Sequence, residues 1–150
     1  MIEVKFPSPG FRIKKEGERR YIFDTIRKSW MPLTQEEWVR QNFVNYLVSS
    51  LNYPSTLIAI EKEITLNDLK KRFDILVYDS AHRPWMMVEC KEPGVELSER
   101  VLQQVLRYNM SVPVDFLVIT NGIHTLGWKK QDHGLKLLEA LPAWVNETAR

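Results

Sequence analysis

Arg72-Phe73-Asp74-Ile75-Leu76-Val77-Tyr78, a polar turn at residues 79–84, then Trp85-Met86-Met87-Val88-Glu89-Cys90-Lys91 is the stretch that decides the fold. Two apolar runs of strand length, each carrying charge at a defined point, predict an antiparallel hairpin. Side chains alternate along a strand, so Glu89 and Lys91 are expected on one face with Trp85 and Met87. Cys90 then faces the other way with Met86 and Val88. Across the hairpin Asp74 can approach Glu89 and Lys91. Two carboxylates and an ammonium make a small, hard, oxygen-rich site suited to Mg²⁺ or Mn²⁺. The same residues also read as charged strand ends returning to solvent, and spacing alone does not separate the two.

Working outward, Thr34 is placed to cap a helix running to about Leu51, with Glu37 three residues on completing a capping box. Val39, Phe43, Tyr46, Leu47 and Leu51 recur at helical spacing. Glu36 falls inside that apolar sector and Glu37 at its edge, so an acid in the first turn is expected to look toward the hairpin. Which of the two does so stays open. Leu57–Ile60 and Ile64–Leu66 predict one or two strands, and Asn67 to Lys71 a polar turn whose Lys70, Lys71 and Arg72 add positive charge before Asp74. Downstream, Ser98 caps a helix over about 99–110 that places Gln104 and Tyr108 as surface neighbours. Asp115–Thr120 reads as a buried strand, Asn121-Gly122 as a two-residue hairpin turn, Ile123–Trp128 as the returning strand and Leu135–Leu138 as an edge. Residues 141–150 read as a short helix or frayed end.

Near the N-terminus, Phe11–Lys15 and Arg19–Phe23 flank Glu16-Gly17-Glu18 as a glycine-turn hairpin. Arg12 to Lys28 holds seven basic residues against three acidic ones. That is either a phosphate-contacting face or a solvated hairpin. The whole chain is nearly balanced, 21 basic and 19 acidic residues for +2, so bulk charge does not name a nucleic-acid partner. At 150 residues and 44% apolar content it is expected to fold as one domain, residues 1–150, in which 1–30 is accessory and 33–128 the core. A single cysteine and three scattered histidines exclude an intramolecular disulfide and argue against a thiolate or imidazole zinc site. No apolar run reaches membrane-span length and no signal-peptide plan is present, so a cytoplasmic location away from membranes is expected.

Leu33-Thr34-Gln35-Glu36-Glu37-Trp38-Val39-Arg40-Gln41, Lys71-Arg72-Phe73-Asp74, Val88-Glu89-Cys90-Lys91, Gln104-Val105-Leu106-Arg107-Tyr108-Asn109 and Val118-Ile119-Thr120-Asn121-Gly122 stand in one order along residues 33–128. That order resembles the PD-(D/E)XK nuclease superfamily, and more closely the N-terminal nuclease domain of type I restriction enzyme R subunits in a stand-alone short form. Phe73 stands where the family's namesake motif has proline. The resemblance implies a restriction-endonuclease-like α/β fold, a mixed central sheet flanked by helices with an added N-terminal hairpin. It implies an Mg- or Mn-dependent endonuclease acting on DNA in restriction or repair. In that reading Asp74, Glu89 and the Cys90 carbonyl hold the metal, Lys91 orients or activates water, and Glu36 and Gln104 assist. Lys71, Arg72 and Tyr108 contact nucleic acid. No translocating ATPase is present, so a motor or specificity subunit is expected on another chain. A dimer is compatible with cutting both strands. The competing reading is a nucleic-acid- or partner-binding module that keeps the fold without cleaving.

Overall fold

The computed structural model describes residues 1–144. Three short strands come first, β1 (Ile13–Glu16), β2 (Arg19–Asp24) and β3 (Ser29–Pro32), in an antiparallel sheet of order β1-β2-β3. The expected accessory hairpin is therefore a three-stranded sheet. The turn to β3 was hidden because its anchor is a side chain: Asp24 is buried, and its Oδ1 accepts from the Ile26 and Arg27 amides.

Helix α1 (Gln35–Ser49) starts where the sequence says, with Thr34 Oγ1 accepting from the Glu37 amide at 3.0 Å. A short 3₁₀ turn, Ser55–Leu57, precedes β4 (Ile58–Leu66), which is one strand rather than two. The turn into β5 (Leu69–Tyr78) is only Asn67-Asp68, both at positive φ, with Leu66 paired to Leu69. Such primed turns match strand twist, so pairing starts at once and Leu69 to Lys71 belong to the strand.

Strand β6 (Pro84–Cys90) pairs antiparallel with β5, as expected, and parallel with β7 (Phe116–Thr120). Parallel neighbours need a crossover, and the connection contains α2 (Glu99–Asn109). Strands β8 (Thr125–Gln131) and β9 (Gly134–Leu137) complete a six-stranded mixed sheet in sequential order. Asn121-Gly122 is not a two-residue hairpin. Asn121 Oδ1 accepts from the amides of Ile123 and His124, so residues 121–124 form the turn and β8 begins later than the sequence suggests.

One sheet face packs on α1 through Val39, Phe43, Val44 and Leu47 against Ile75, Val77, Met86 and Val88. On the other face Phe73, Leu76, Met87 and Leu117 pack with Val112, Val114 and half-buried Leu106 of α2. A regular strand would put Phe73 on the same side as Ile75, so β5 changes phase around Asp74. Opposite that point Glu61 has φ 53° and the β4–β5 pairing skips it. Trp85 is the extra residue in a bulge, since Val77 pairs Met86 and Tyr78 pairs Pro84. It therefore joins the α1 side with Tyr53 and Phe116 rather than lying with Met87.

Leu141 to Trp144 lack regular structure, and the expected helix or frayed end over residues 145–150 lies outside the described residues. Among the described residues no helix is long and apolar enough to cross a membrane.

Candidate active site

The register that sets Ile75 opposite Val88 makes Asp74 and Glu89 the next cross-strand pair. There the ladder ends. The Asp74 side chain replaces a strand carbonyl, its Oδ2 accepting from the Cys90 amide at 2.8 Å. Cross-strand partners sit ~5 Å apart at Cβ, and the two carboxyl groups reach hydrogen-bonding contact. Burial first, and repulsion from Asp74 second, push the Glu89 carboxyl up to about 8, with Lys91 offsetting part of the rise. Half-buried Lys91 follows β6, its amide donating to the Thr120 carbonyl. Its charge is felt by both Glu89 and Glu36, so these three side chains share one site with Asp74.

Between the two first-turn acids of α1 the structure chooses clearly. Glu36 is half exposed and lies in the field of Asp74, Lys91 and Glu61; burial, then Asp74, raise its carboxyl. Glu37 is 4% exposed and turned into the protein. Its Oε1 accepts from Arg27 at 2.8 Å and Arg40 at 2.7 Å, and its Oε2 from Gln41. The apolar-sector reading misplaced the pair because α1 buries a polar line, Glu37, Arg40 and Gln41, beside its apolar one. Only half of the capping box forms, because Arg27 and Arg40 occupy the Glu37 carboxylate.

Arg40 is the residue that the sequence reading missed. Only 5% exposed, it bonds Glu36 at 2.9 Å, Glu37 at 2.7 Å and Asp74 Oδ1 at 3.1 Å. Burial opposes its charge, yet Glu37 and Asp74 hold the guanidinium more firmly protonated than in water. Its Nε is buried without a hydrogen-bond partner. Arg27, from the β2–β3 turn, extends the chain of charge to Asp24, Glu37 and Glu61. Burial would raise Glu61, but Arg27, Arg40 and Arg72 together hold it low. A signal was present in the helix spacing of Glu36 and Glu37 to Arg40, but not in the long-range partners.

The remaining candidates divide. Lys71 is buried, and its Nζ donates to the Tyr108 carbonyl and to Ser111 Oγ, both at 2.6 Å. It caps the C-terminal end of α2, a natural seat for a cation, rather than presenting its charge at an open surface. Arg72 is 65% exposed and ion-paired with Glu61. Gln104 and Tyr108 are exposed on α2, with the Tyr108 ring under Lys71 Nζ. The Cys90 thiol is fully buried, and burial first, then Asp74, push it well up, so it is inert.

Among the described residues no three His, Cys, Asp or Glu side chains group closely enough to hold a metal ion by themselves. A divalent ion would have to be held by Asp74 and Glu89, with other oxygens completing its shell. The donor chemistry fits. Repulsion between two adjacent carboxylates is what a hard cation relieves, and the bonds from Arg40 and the Cys90 amide leave both Asp74 oxygens with acceptor capacity.

No curated protein sequence matches the chain. Among solved structures it is similar to a candidate nuclease of the DUF820 group from Anabaena variabilis ATCC 29413, at 12% identity. The match covers 89% of this chain and 79% of that one with a TM-score of 0.47, too distant to carry weight. The family described as Type I restriction enzyme R protein N terminus matches residues 35–142. That span holds Glu36, Arg40, Asp74, Glu89, Lys91, Gln104 and Tyr108 and begins after β1–β3. The six-stranded mixed sheet and both helices lie within that match, and the chain belongs to the family of type I restriction enzyme R protein N-terminal domains.

Proposed function

We propose that this protein is a divalent-metal-dependent nuclease that hydrolyses DNA phosphodiester bonds in a restriction or repair setting. The observation that carries the reading is the pairing of Asp74 with Glu89 where the β5–β6 ladder ends, with Lys91 and Glu36 beside them, an arrangement that raises the Glu89 carboxyl. A carboxylate pair built at such a cost is a functional arrangement more often than a structural one.

Asp74 and Glu89, with the Cys90 carbonyl, would hold Mg²⁺ or Mn²⁺, which supplies polarisation of a phosphoryl oxygen and easier deprotonation of water. The chain's own residues do the rest. Arg40 and the Cys90 amide fix the Asp74 carboxylate from two sides, so its orientation is set in advance. Lys91 holds the attacking water or places positive charge beside the phosphate. An ammonium donates hydrogen bonds and accepts none, so positioning and charge are its roles. Glu36 takes a hydrogen bond from water at the half-exposed edge of the site. Gln104 and Tyr108 offer polar contacts to the DNA backbone from α2, and exposed Arg72 offers charge from β5. A motor or specificity element is the partner that a restriction setting implies.

One observation favours a second reading, a binding module without cleavage: Asp74 already carries a cation, Arg40, at 3.1 Å. The test is nicking of supercoiled plasmid in Mn²⁺ by the natural protein, Asp74→Ala and Lys91→Ala. Cleavage lost in both variants supports the nuclease. Salt-sensitive DNA binding with no cleavage by any of the three gives the molecule to the second reading.

A further inference from the structure

Beside the site lies a cleft of about 800 Å³, walled by Ile13 and Arg20 of the accessory sheet, Leu33 and Trp38 around the start of α1, and Pro93 and Gly94 after β6. Its position is informative. Thr34 and Gln35, also in its lining, immediately precede Glu36, and Pro93 follows Lys91 by two residues. The cleft thus opens where a strand leaving the candidate scissile position would run.

Its chemistry is that of a base and a phosphate. Trp38 remains 38% exposed although Phe11 meets it edge-on at 5.5 Å. Leu33, Ile13 and Pro93 make the remaining wall mostly apolar. Arg20 supplies charge, and its cross-strand partner Lys15 stands on the same sheet face. The volume lies in the range of small-molecule sites. The carboxylates of the neighbouring site repel a polyanion, so a basic wall next to them is what a DNA strand requires.

We propose that this cleft seats one unpaired nucleotide of the substrate strand. Trp38 stacks on the base and Arg20 contacts the adjoining phosphate, so the protein prefers single-stranded or frayed DNA over blunt duplex. The inference rests on the nuclease reading and adds a substrate class to it. It also gives the basic accessory sheet, which lies outside the family match, a task.

The experiment measures fluorescence anisotropy of a labelled single-stranded oligonucleotide and of its blunt duplex with the full chain in EDTA. The proteins are the natural chain, Trp38→Ala, Trp38→Phe, Arg20→Gln and Gly94→Leu, each first checked by circular dichroism and melting. An added Cβ at Gly94 meets nothing within 4 Å, so Gly94→Leu narrows the cleft without removing any packing. Single-strand affinity is expected to fall on the order of tenfold in Trp38→Ala and in Gly94→Leu, and to stay within about threefold in Trp38→Phe. Arg20→Gln is expected to lower the salt dependence by about 0.7 in log–log slope. Duplex binding should change little. Natural single-strand affinity in both folded variants, Trp38→Ala and Gly94→Leu, overturns the proposal, as does an equal loss on duplex. Trp38-dependent binding without Mn²⁺-dependent cleavage would sink the nuclease reading and leave the cleft standing. Cleavage together with unaltered binding in those variants sinks the cleft alone.

Discussion

Replacing Glu89 with Gln is expected to inactivate the protein and, without metal, to stabilise it as pH rises. The carboxyl goes from an ordinary 4.5 to about 8 because folding buries it and sets it against Asp74. A folded value above the unfolded one means that, between those limits, the native state holds a proton that the unfolded chain has lost. Stability then falls with rising pH. The contribution is complete below about 4.5 and gone above about 8. At ~1.4 kcal/mol per pH unit the full span has a ceiling on the order of 5 kcal/mol. Water reaches the edge of this half-buried group and screens its charge, so roughly half is expected, about 2–3 kcal/mol.

The amide in the Glu89→Gln variant does not titrate and therefore escapes the loss. Thermal or urea unfolding in EDTA, read by tryptophan fluorescence at pH 5.5, 7 and 8.5, measures the difference between the two proteins. It should widen by about 2 kcal/mol toward pH 8.5, because about a third of the contribution is already gone at pH 5.5, roughly 4–8 °C in Tm for a chain of this size. Added Mn²⁺ should raise the Tm of the natural protein and leave Glu89→Gln nearly unmoved. A difference independent of pH would refute the argument, because it would mean that Glu89 ionises freely in the fold.

Arg40→Met should destabilise by about 3–5 kcal/mol in urea melts, since it strips a cation from buried Glu37 and from Asp74. Arg27→Ala should cost about 2–3 kcal/mol, less than Arg40 because Arg27 is more exposed, and should loosen hydrogen-exchange protection in β2 and β3. At Gly122, φ is 86° and an added Cβ lies 3.1 Å from Val39 Cγ2, so Gly122→Ala should cost about 1–3 kcal/mol by thermal melting. Calorimetry of Mn²⁺ binding in buffers of different ionisation enthalpy should show nearly one proton released at pH 7 and almost none at pH 9.5.

The hairpin carrying Asp74 and Glu89 was legible because both strands are long apolar runs in register with a short turn, and period-two alternation is a local property. Other features depend on partners far along the chain. The phase change at Asp74 is tied to Glu61 on the neighbouring strand, whose φ of 53° no propensity announces. The burial of Glu37 depends on Arg27, ten residues earlier in a turn, and Arg40 points to Asp74, 34 residues later. A helix with a charged buried line looks, by composition, like one with a narrower apolar stripe, so Glu36 took the inward place that Glu37 occupies. Lys71 went astray for a related reason. A lysine in a basic run suggests a surface, and only α2, packed across β5, reveals that its charge belongs to a helix end.

The ionic network itself argues for a divalent ion. Asp24, Glu36, Glu37, Glu61, Asp74 and Glu89 face Arg27, Arg40, Arg72 and Lys91, so two negative charges go unmatched. Burial makes such an excess expensive, and in the metal-free protein near neutral pH the proton on Glu89 removes only half of it. Had the network served stability alone, one more arginine together with an amide at position 89 would have balanced it more cheaply. The imbalance falls on the Asp74–Glu89 pair, beside the solvent edge where Glu36 and Lys91 stand, and not on the deeply buried links through Arg27 and Arg40. A charge of two left open at the accessible end of an otherwise matched network is the electrostatic complement of one Mg²⁺ or Mn²⁺. On the proposed reading Arg40 does not compete for that place: it would fix Asp74 for the ion, and it settles the charge of Glu37 behind it.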